Sequence, residues 1–171
     1  MSLEKSSIRR STAARSLPTC IFRPSSRLLR KSIQLVGLIV TAIIQSHNDT
    51  NLSPVIDIHG GAFMLGHSRM VSLPQIDDCL ERGWIVLVPN HRLCPGVNLL
   101  EGPMQDIRDL LSWVHDGFLD VVLKEQGPYR ADLKNVAAFG TSSGGTLALA
   151  LVREPRPVSF ITGHYRLHLE D

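Results

Sequence analysis

The sequence predicts an α/β fold in which a mostly parallel sheet is flanked by helices. Apolar and β-branched runs of strand length alternate with segments whose apolar residues recur every three or four positions. One run, Trp84–Pro89, is apolar throughout, which is typical of a parallel strand covered on both faces. The 171 residues, 43% hydrophobic and 20% charged, are enough for one globular domain with its own core.

The predicted elements alternate regularly from residue 54 onward. They are a strand at Val55–Ile58, a helix within 72–83, a strand at Trp84–Pro89, a helix within 102–117, a strand within 133–140, a helix at Gly144–Leu151 and a strand at Pro157–Thr162. In the first helix, Leu73, Ile76 and Leu80 share one face, and Gly83 ends the segment. This alternation favours βαβ units.

The first 46 residues differ from the rest, with eight lysines and arginines against one acid, Glu4. They lead into an apolar stretch at 33–44, for which three alternatives stay open. It is a buried strand, a targeting or interfacial segment, or a membrane span, although a span needs about 20 residues. We therefore divide the chain into this N-terminal segment, disordered or targeting, a folded domain over 54–162 and a tail over 163–171. We expect a cytoplasmic protein, and the alternative is organelle targeting or membrane contact through 33–44.

Charge and cysteine content exclude other classes of protein. The net charge is +2, but the part after residue 46 is acidic overall, so we expect no nucleic-acid partner. Cys20, Cys79 and Cys94 have neither metal-ligand spacing nor the even count of a disulfide framework. We expect reduced thiols, no metal and no cofactor.

The segment Gly140-Thr141-Ser142-Ser143-Gly144 matches the pattern Gly-x-Ser-x-Gly between a predicted strand and a predicted helix. In this turn a serine is exposed as a nucleophile, and the N–H of the next residue points toward a developing oxyanion. We identify Ser142 as the candidate nucleophile and Ser143 as a candidate donor. The alternatives are a glycine-rich helix start or a phosphate-binding turn.

A second motif, "DIHGGAF" at 57–63, also follows a predicted strand. Its glycine loop is suited to presenting the backbone N–H groups of Gly61 and Ala62, each worth roughly 3–4 kcal/mol to an oxyanion. The alternative for the two glycines is an ordinary loop. His59 precedes the loop and is expected to be a structural histidine and not a general base.

The segments "HGGAF", "PNHRLCPG" and "GTSSGG", in this order over about residues 54–152, resemble the α/β-hydrolase fold in its hormone-sensitive-lipase-like esterase branch. The resemblance implies a partial α/β-hydrolase domain over 54–162 and a serine hydrolase of carboxylesterase or lipase type. It implies that Ser142 is the nucleophile, that Gly61, Ala62 and Ser143 form the oxyanion hole, and that the substrate is a small ester.

The resemblance also implies that Arg92 and Asp106 support the fold. The sequence departs from the family pattern at Ala62, which replaces a third glycine. It departs again at His91, where tyrosine is usual, and at Thr141, where aspartate is usual.

A catalytic triad in this family needs an acid and then a histidine after the serine. His164, beyond the strand Pro157–Thr162, is the candidate base, and Glu154 is the only acid between Ser142 and it. Because no complete triad is evident, we expect a truncated hydrolase, with or without activity. The alternative is a non-catalytic remnant that binds a ligand or a partner. A sheet with few strands is expected to expose an edge that favours self-association.

Overall fold

The computed structural model describes residues 28–35, 38–45, 49–156 and 158–164, and it confirms a mixed α/β fold with a sheet flanked by helices. The strands are β1 Leu28–Leu35, β2 Leu38–Gln45, β3 Asn51–Leu52, β4 Pro54–Ile58, β5 Ile85–Asn90, β6 Arg130–Ala131, β7 Ala137–Thr141 and β8 Phe160–His164. The α-helices are α1 Leu73–Glu81, α2 Gln105–His115, α3 Phe118–Lys124 and α4 Ser143–Ala150.

Six strands form the main sheet in the order β1-β2-β5-β4-β7-β8. Strands β5, β4, β7 and β8 are parallel, whereas β2 runs antiparallel to both β1 and β5. The short strands β3 and β6 form a separate parallel pair. Because parallel neighbours end at one edge of the sheet, the segments after β4, β5 and β7 come together there.

The sheet extends to the N-terminal side of residue 54, where the sequence analysis places the start of the domain. Strands β1 and β2 pair along their whole length, from Leu28 opposite Gln45 to Leu35 opposite Leu38. The apolar stretch 33–44 therefore contributes to two strands of a hairpin. Strand β2 is apolar because it is covered on both faces: Val40 packs into one core cluster and Ile43 into the other.

Parts of the N-terminal prediction lie outside the described residues, namely 1–27, 36–37 and 46, and so do residues 165–171 of the predicted tail 163–171. In the described ranges, none of the helices combines the length and the apolar character needed to cross a membrane. Strands β1 and β8 stand at the two ends of the strand order. Self-association through a sheet edge stays a prediction.

Two core clusters lie on opposite faces of the sheet. Helices α2, α3 and α4 cover one face with buried residues such as Ile107, Leu119 and Leu147, and α1 covers part of the other with Ile76 and Leu80. The sequence pattern did not predict α3, which has only seven residues. It also placed the last strand too early, since β8 runs from Phe160 to His164.

Candidate active site

Ser142 occupies the turn between β7 and α4 and is exposed. Its backbone has φ 54° and ψ −121°, a conformation that costs a non-glycine residue about 1–3 kcal/mol and is typical of functional sites. The flanking glycines are required sterically. A Cβ on Gly144 would lie 2.1 Å from the carbonyl oxygen of Ile58, and one on Gly140 would lie 2.5 Å from the carbonyl carbon of Gly144.

The loop after β4 packs directly against this turn. A Cβ on Gly60 would lie 2.7 Å from the carbonyl oxygen of Thr141 and 3.3 Å from the Cβ of Ser142. Only a glycine lets the two backbones approach this closely. Ser142 and the start of the "HGGAF" loop are therefore neighbours in space, although more than 80 residues separate them in the sequence.

The loop itself is strongly bent. Gly61, Ala62 and Phe63 have φ values of 128°, 52° and 63°, which is uncommon for the two non-glycine residues. The carbonyl oxygen of Gly61 accepts hydrogen bonds from the N–H groups of Met64 and Leu65, both at 3.0 Å. Among the described residues, none accepts a hydrogen bond from the N–H of Gly61 or Ala62. These two donors are thus available to a ligand.

His59 and His91 form a buried stacked pair beneath the loop. Their rings are 4.4 Å apart and nearly parallel, and the residues are 1% and 5% exposed. Each Nδ1 lies near a backbone carbonyl oxygen, that of Gly60 at 2.8 Å for His59 and that of Arg92 at 2.9 Å for His91. The Nδ1–H therefore donates, and the Nε2 keeps its lone pair. Burial lowers the pKa of both imidazoles, so both are neutral near pH 7.

Neither Nε2 has a hydrogen-bond partner in the part of the chain that the structure describes. His59 Nδ1 is further confined by Gly66, where a Cβ would lie 2.5 Å away. His59 therefore supports the loop from below, and its Nδ1 is occupied by the hydrogen bond to the carbonyl oxygen of Gly60.

Arg92 and Asp106 tie the segment after β5 to the first turn of α2. The Asp106 carboxylate is 1% exposed and accepts hydrogen bonds from the backbone N–H of Arg92 at 2.7 Å and from its guanidinium at 2.7 and 3.0 Å. Arg92 also donates to the carbonyl oxygen of Glu101 at 2.7 Å. This arrangement fixes the loop that carries His91.

The backbone of His164 lies beside the turn that carries Ser142. In the parallel pairing of β7 and β8, His164 is opposite Thr141, the residue before Ser142. The position of its imidazole lies outside the described part of the structure. The carboxylate of Glu154 accepts a hydrogen bond from Arg108 Nε at 2.7 Å, which couples it to α2.

Sequence reasoning missed the unusual state of Asp57. This residue, the last but one of β4, is 2% exposed, and burial raises the pKa of its carboxyl group from 3.8 to about 7. Its Oδ2 has no hydrogen-bond partner among the described residues. The available signal was a single acid within the otherwise apolar run "PVIDI".

A family model described as BD-FAE matches residues 42–155, about two thirds of the chain. The chain belongs to the BD-FAE family. The resemblance to the α/β-hydrolase fold is confirmed by this match and by solved structures that share the fold.

Solved structures with this fold include the bacterial heroin esterase, with a TM-score of 0.65, 22% identity and coverage of 82% of this chain and 44% of that one. Vibralactone cyclase has a TM-score of 0.61 at 22% identity, covering 81% of this chain and 42% of that one. Esterase B from Lactobacillus rhamnosis has a TM-score of 0.52 at 25% identity, and the match covers 74% of this chain and 41% of that one.

Curated relatives are large fungal synthases. The chain is 40% identical over 95 residues to methylphloroacetophenone synthase of Cladonia uncialis. The aligned residues cover 55% of this chain and 4% of the synthase. It is 33% identical over 126 residues to the non-reducing polyketide synthase ausA of Aspergillus calidoustus. Here the aligned residues cover 71% of this chain and 5% of the synthase. The chain thus spans a small part of these relatives and less than half of the length of the solved structures above.

Proposed function

We propose that this chain is a carboxylic ester hydrolase in which Ser142 carries the acyl group between two steps. The observation that carries the proposal is the close approach of the Gly60 loop to the strained turn that exposes Ser142. In the first step the Ser142 Oγ attacks the ester carbonyl carbon, and the alcohol leaves with a proton. In the second step water attacks the acyl carbon, the bond from this carbon to the Ser142 Oγ breaks, one proton of the water returns to the serine, and the acid leaves as a carboxylate and a proton.

Three backbone N–H groups are proposed as the oxyanion hole, those of Gly61, Ala62 and Ser143. This assignment is supported by the N–H groups of Gly61 and Ala62, which have no acceptor among the described residues, and by the start of α4 directly after Ser142, because free backbone N–H groups stabilise a developing negative charge. Loss of one such donor typically lowers kcat by about 10²–10³. Ala62 serves as well as glycine here, since the donor belongs to the backbone.

We further propose His164 as the general base. Its pairing opposite Thr141 supports this role, since the strand brings its backbone to the same turn as the nucleophile. No acid partner is assigned to it. Similarity to segments of polyketide synthases favours a polyketide-derived acyl group, which should be tested beside simple esters.

Labelling with a fluorophosphonate probe tests the nucleophile directly. We expect the folded chain to be labelled on the peptide that contains Ser142, and Ser142→Ala to abolish labelling. Ser112→Ala, on the exposed side of α2, is the matched control and keeps it. Hydrolysis of p-nitrophenyl acetate should follow the same pattern. Absence of label in a protein with native circular dichroism contradicts the catalytic proposal and supports a non-catalytic, ligand-binding hydrolase fold.

His164→Ala tests the base separately. We expect kcat for p-nitrophenyl acetate to fall by about 10² or more, since general base catalysis contributes about 10²–10⁴. His67→Ala, an exposed histidine of the loop before α1, is the control and keeps full activity. An unchanged rate and pH profile in His164→Ala rejects this residue as the base while leaving the nucleophile assignment intact.

A further inference from the structure

A second candidate site lies on the α1 face of the sheet, above the β1–β2 hairpin. A cavity of about 550 Å³ is bounded by this hairpin, by the short turn at Ser68–Met70 and by the start of α1. A hollow of about 390 Å³ shares Ser32, Thr41, Ser68 and Arg69 with it. The size is within the range of pockets that hold small organic ligands.

The cavity has an apolar floor and a cationic rim. Buried side chains form the floor, namely Ile43, Val71, Ile76 and Val88. The rim carries Arg30 and Arg69 together with hydroxyl groups from Ser32, Thr41 and Ser68. Among the described residues, no carboxylate lines the cavity or the adjoining hollow.

The two arginines are uncompensated. Neither makes an ion pair with any residue that the structure describes. A cavity of about 430 Å³ elsewhere on the same face gives the contrast, because its Arg82 is held by Asp78 at 3.0 and 3.1 Å. The charge at the first rim is therefore available to an external anion, whereas the charge at the second is already neutralised.

The backbone around Arg69 is held in place before any ligand binds. The Asn90 side chain accepts a hydrogen bond from the N–H of Ser68 at 2.6 Å and donates to the Ser68 hydroxyl at 3.1 Å. The Nδ1 of His67 accepts from the N–H of Arg69 at 3.1 Å. A fixed backbone reduces the conformational cost of binding.

We propose that this cavity binds a small amphiphilic anion, in which an apolar chain lies on the floor and a carboxylate contacts Arg30 and Arg69. A guanidinium matches the geometry of a carboxylate or a phosphate and forms charge-assisted hydrogen bonds with it. The segment 1–27 does not complement the rim, since it carries arginines and lysines against the single acid Glu4. The site is separate from Ser142: it borders β2 and the end of β5, and β4 stands between β5 and β7 in the sheet.

Isothermal titration with octanoate tests the proposal without relying on catalysis. We expect octanoate to bind the chain, and the double variant Arg30→Gln/Arg69→Gln to bind it about tenfold or more weakly, because two charge-assisted contacts are lost. Arg82→Gln, on the rim of the neutralised cavity, is the matched control and should bind octanoate like the wild type. All three substitutions are at exposed positions, and equal unfolding midpoints verify that the variants fold.

Further ligands separate charge from apolar contact and carboxylate from phosphate. Octanol lacks the charge and acetate lacks the chain, so both should bind about tenfold or more weakly than octanoate. Comparable binding of octyl phosphate agrees with an anion site, whereas binding of octyl phosphate alone overturns the carboxylate assignment. Equal affinity for octanol and octanoate, or a double variant that binds as the wild type does, refutes the site. Because Ser142→Ala should leave octanoate binding unchanged, a failure here is distinguishable from a failure of the proposed hydrolase.

Discussion

Replacing Asp57 with asparagine is expected to change how the stability of the fold depends on pH. In the folded chain, burial raises the pKa of this carboxyl group from 3.8 to about 7. Between these two values the folded state keeps a proton that the unfolded state releases, so the free energy of unfolding falls as the pH rises. At about 1.36 kcal/mol per pH unit, the loss over this range is roughly 4 kcal/mol. The amide of an asparagine does not titrate, so the substitution would remove this loss.

Urea unfolding followed by circular dichroism at about pH 5 and about pH 8 measures the effect. From the lower pH to the higher one, the free energy of unfolding of Asp57→Asn should rise by roughly 3 kcal/mol relative to that of the wild type. Asp77→Asn, at an exposed position of α1, is the control and should follow the wild type. Parallel pH profiles for Asp57→Asn and the wild type would refute the inference that a buried carboxyl group is protonated in the folded chain.

Three further substitutions test the support of the site. Gly144→Ala should lower the free energy of unfolding by about 3 kcal/mol, because its methyl group overlaps a strand carbonyl oxygen, while Thr146→Ala on the exposed side of α4 changes little in the same urea assay. Asp106→Ala should cost about 1–3 kcal/mol, since it leaves the backbone N–H of Arg92 without its buried acceptor and frees a half-exposed guanidinium; Asp109→Ala, exposed on the same helix, is the comparison. His91→Phe should flatten the loss of stability on acidification, because the lowered pKa of a buried imidazole stabilises the fold above about pH 6.5 and this contribution is lost as the pH falls. If the free energy of unfolding of His91→Phe falls on acidification as steeply as that of the wild type, this last expectation is wrong.

The sequence predicts best those elements whose burial is uniform. Strands β4 and β5 are covered on both faces, so their residues form largely apolar runs that are visible in the local sequence, with Asp57 as the one acid in β4. Strand β1 stands at the end of the strand order, and its described side chains from Arg30 to Leu35 alternate between exposed and half-buried. That weak pattern, together with its basic residues, makes it look like part of a separate segment.

The candidate site is predictable in its parts but not in its assembly. The sequence identifies the turn at Ser142 and the loop at Gly61 because glycine spacing reflects local backbone requirements. Their contact depends on β4 and β7 being neighbours in the sheet, which is a property of strand order and not of either segment. The protonation of Asp57 and the pairing of His59 with His91 likewise depend on burial by distant residues.

The close packing of Gly144 against the end of β4 has a mechanical consequence. The glycine packs onto the carbonyl oxygens of Ile58 and His59, at the point where β4 leads into the "HGGAF" loop, and Gly60 packs in return onto the turn that carries Ser142. Each segment thus fills the space into which the other would have to move. The proposed nucleophile and the proposed oxyanion donors are therefore coupled, because a displacement that widens the loop also shifts the serine.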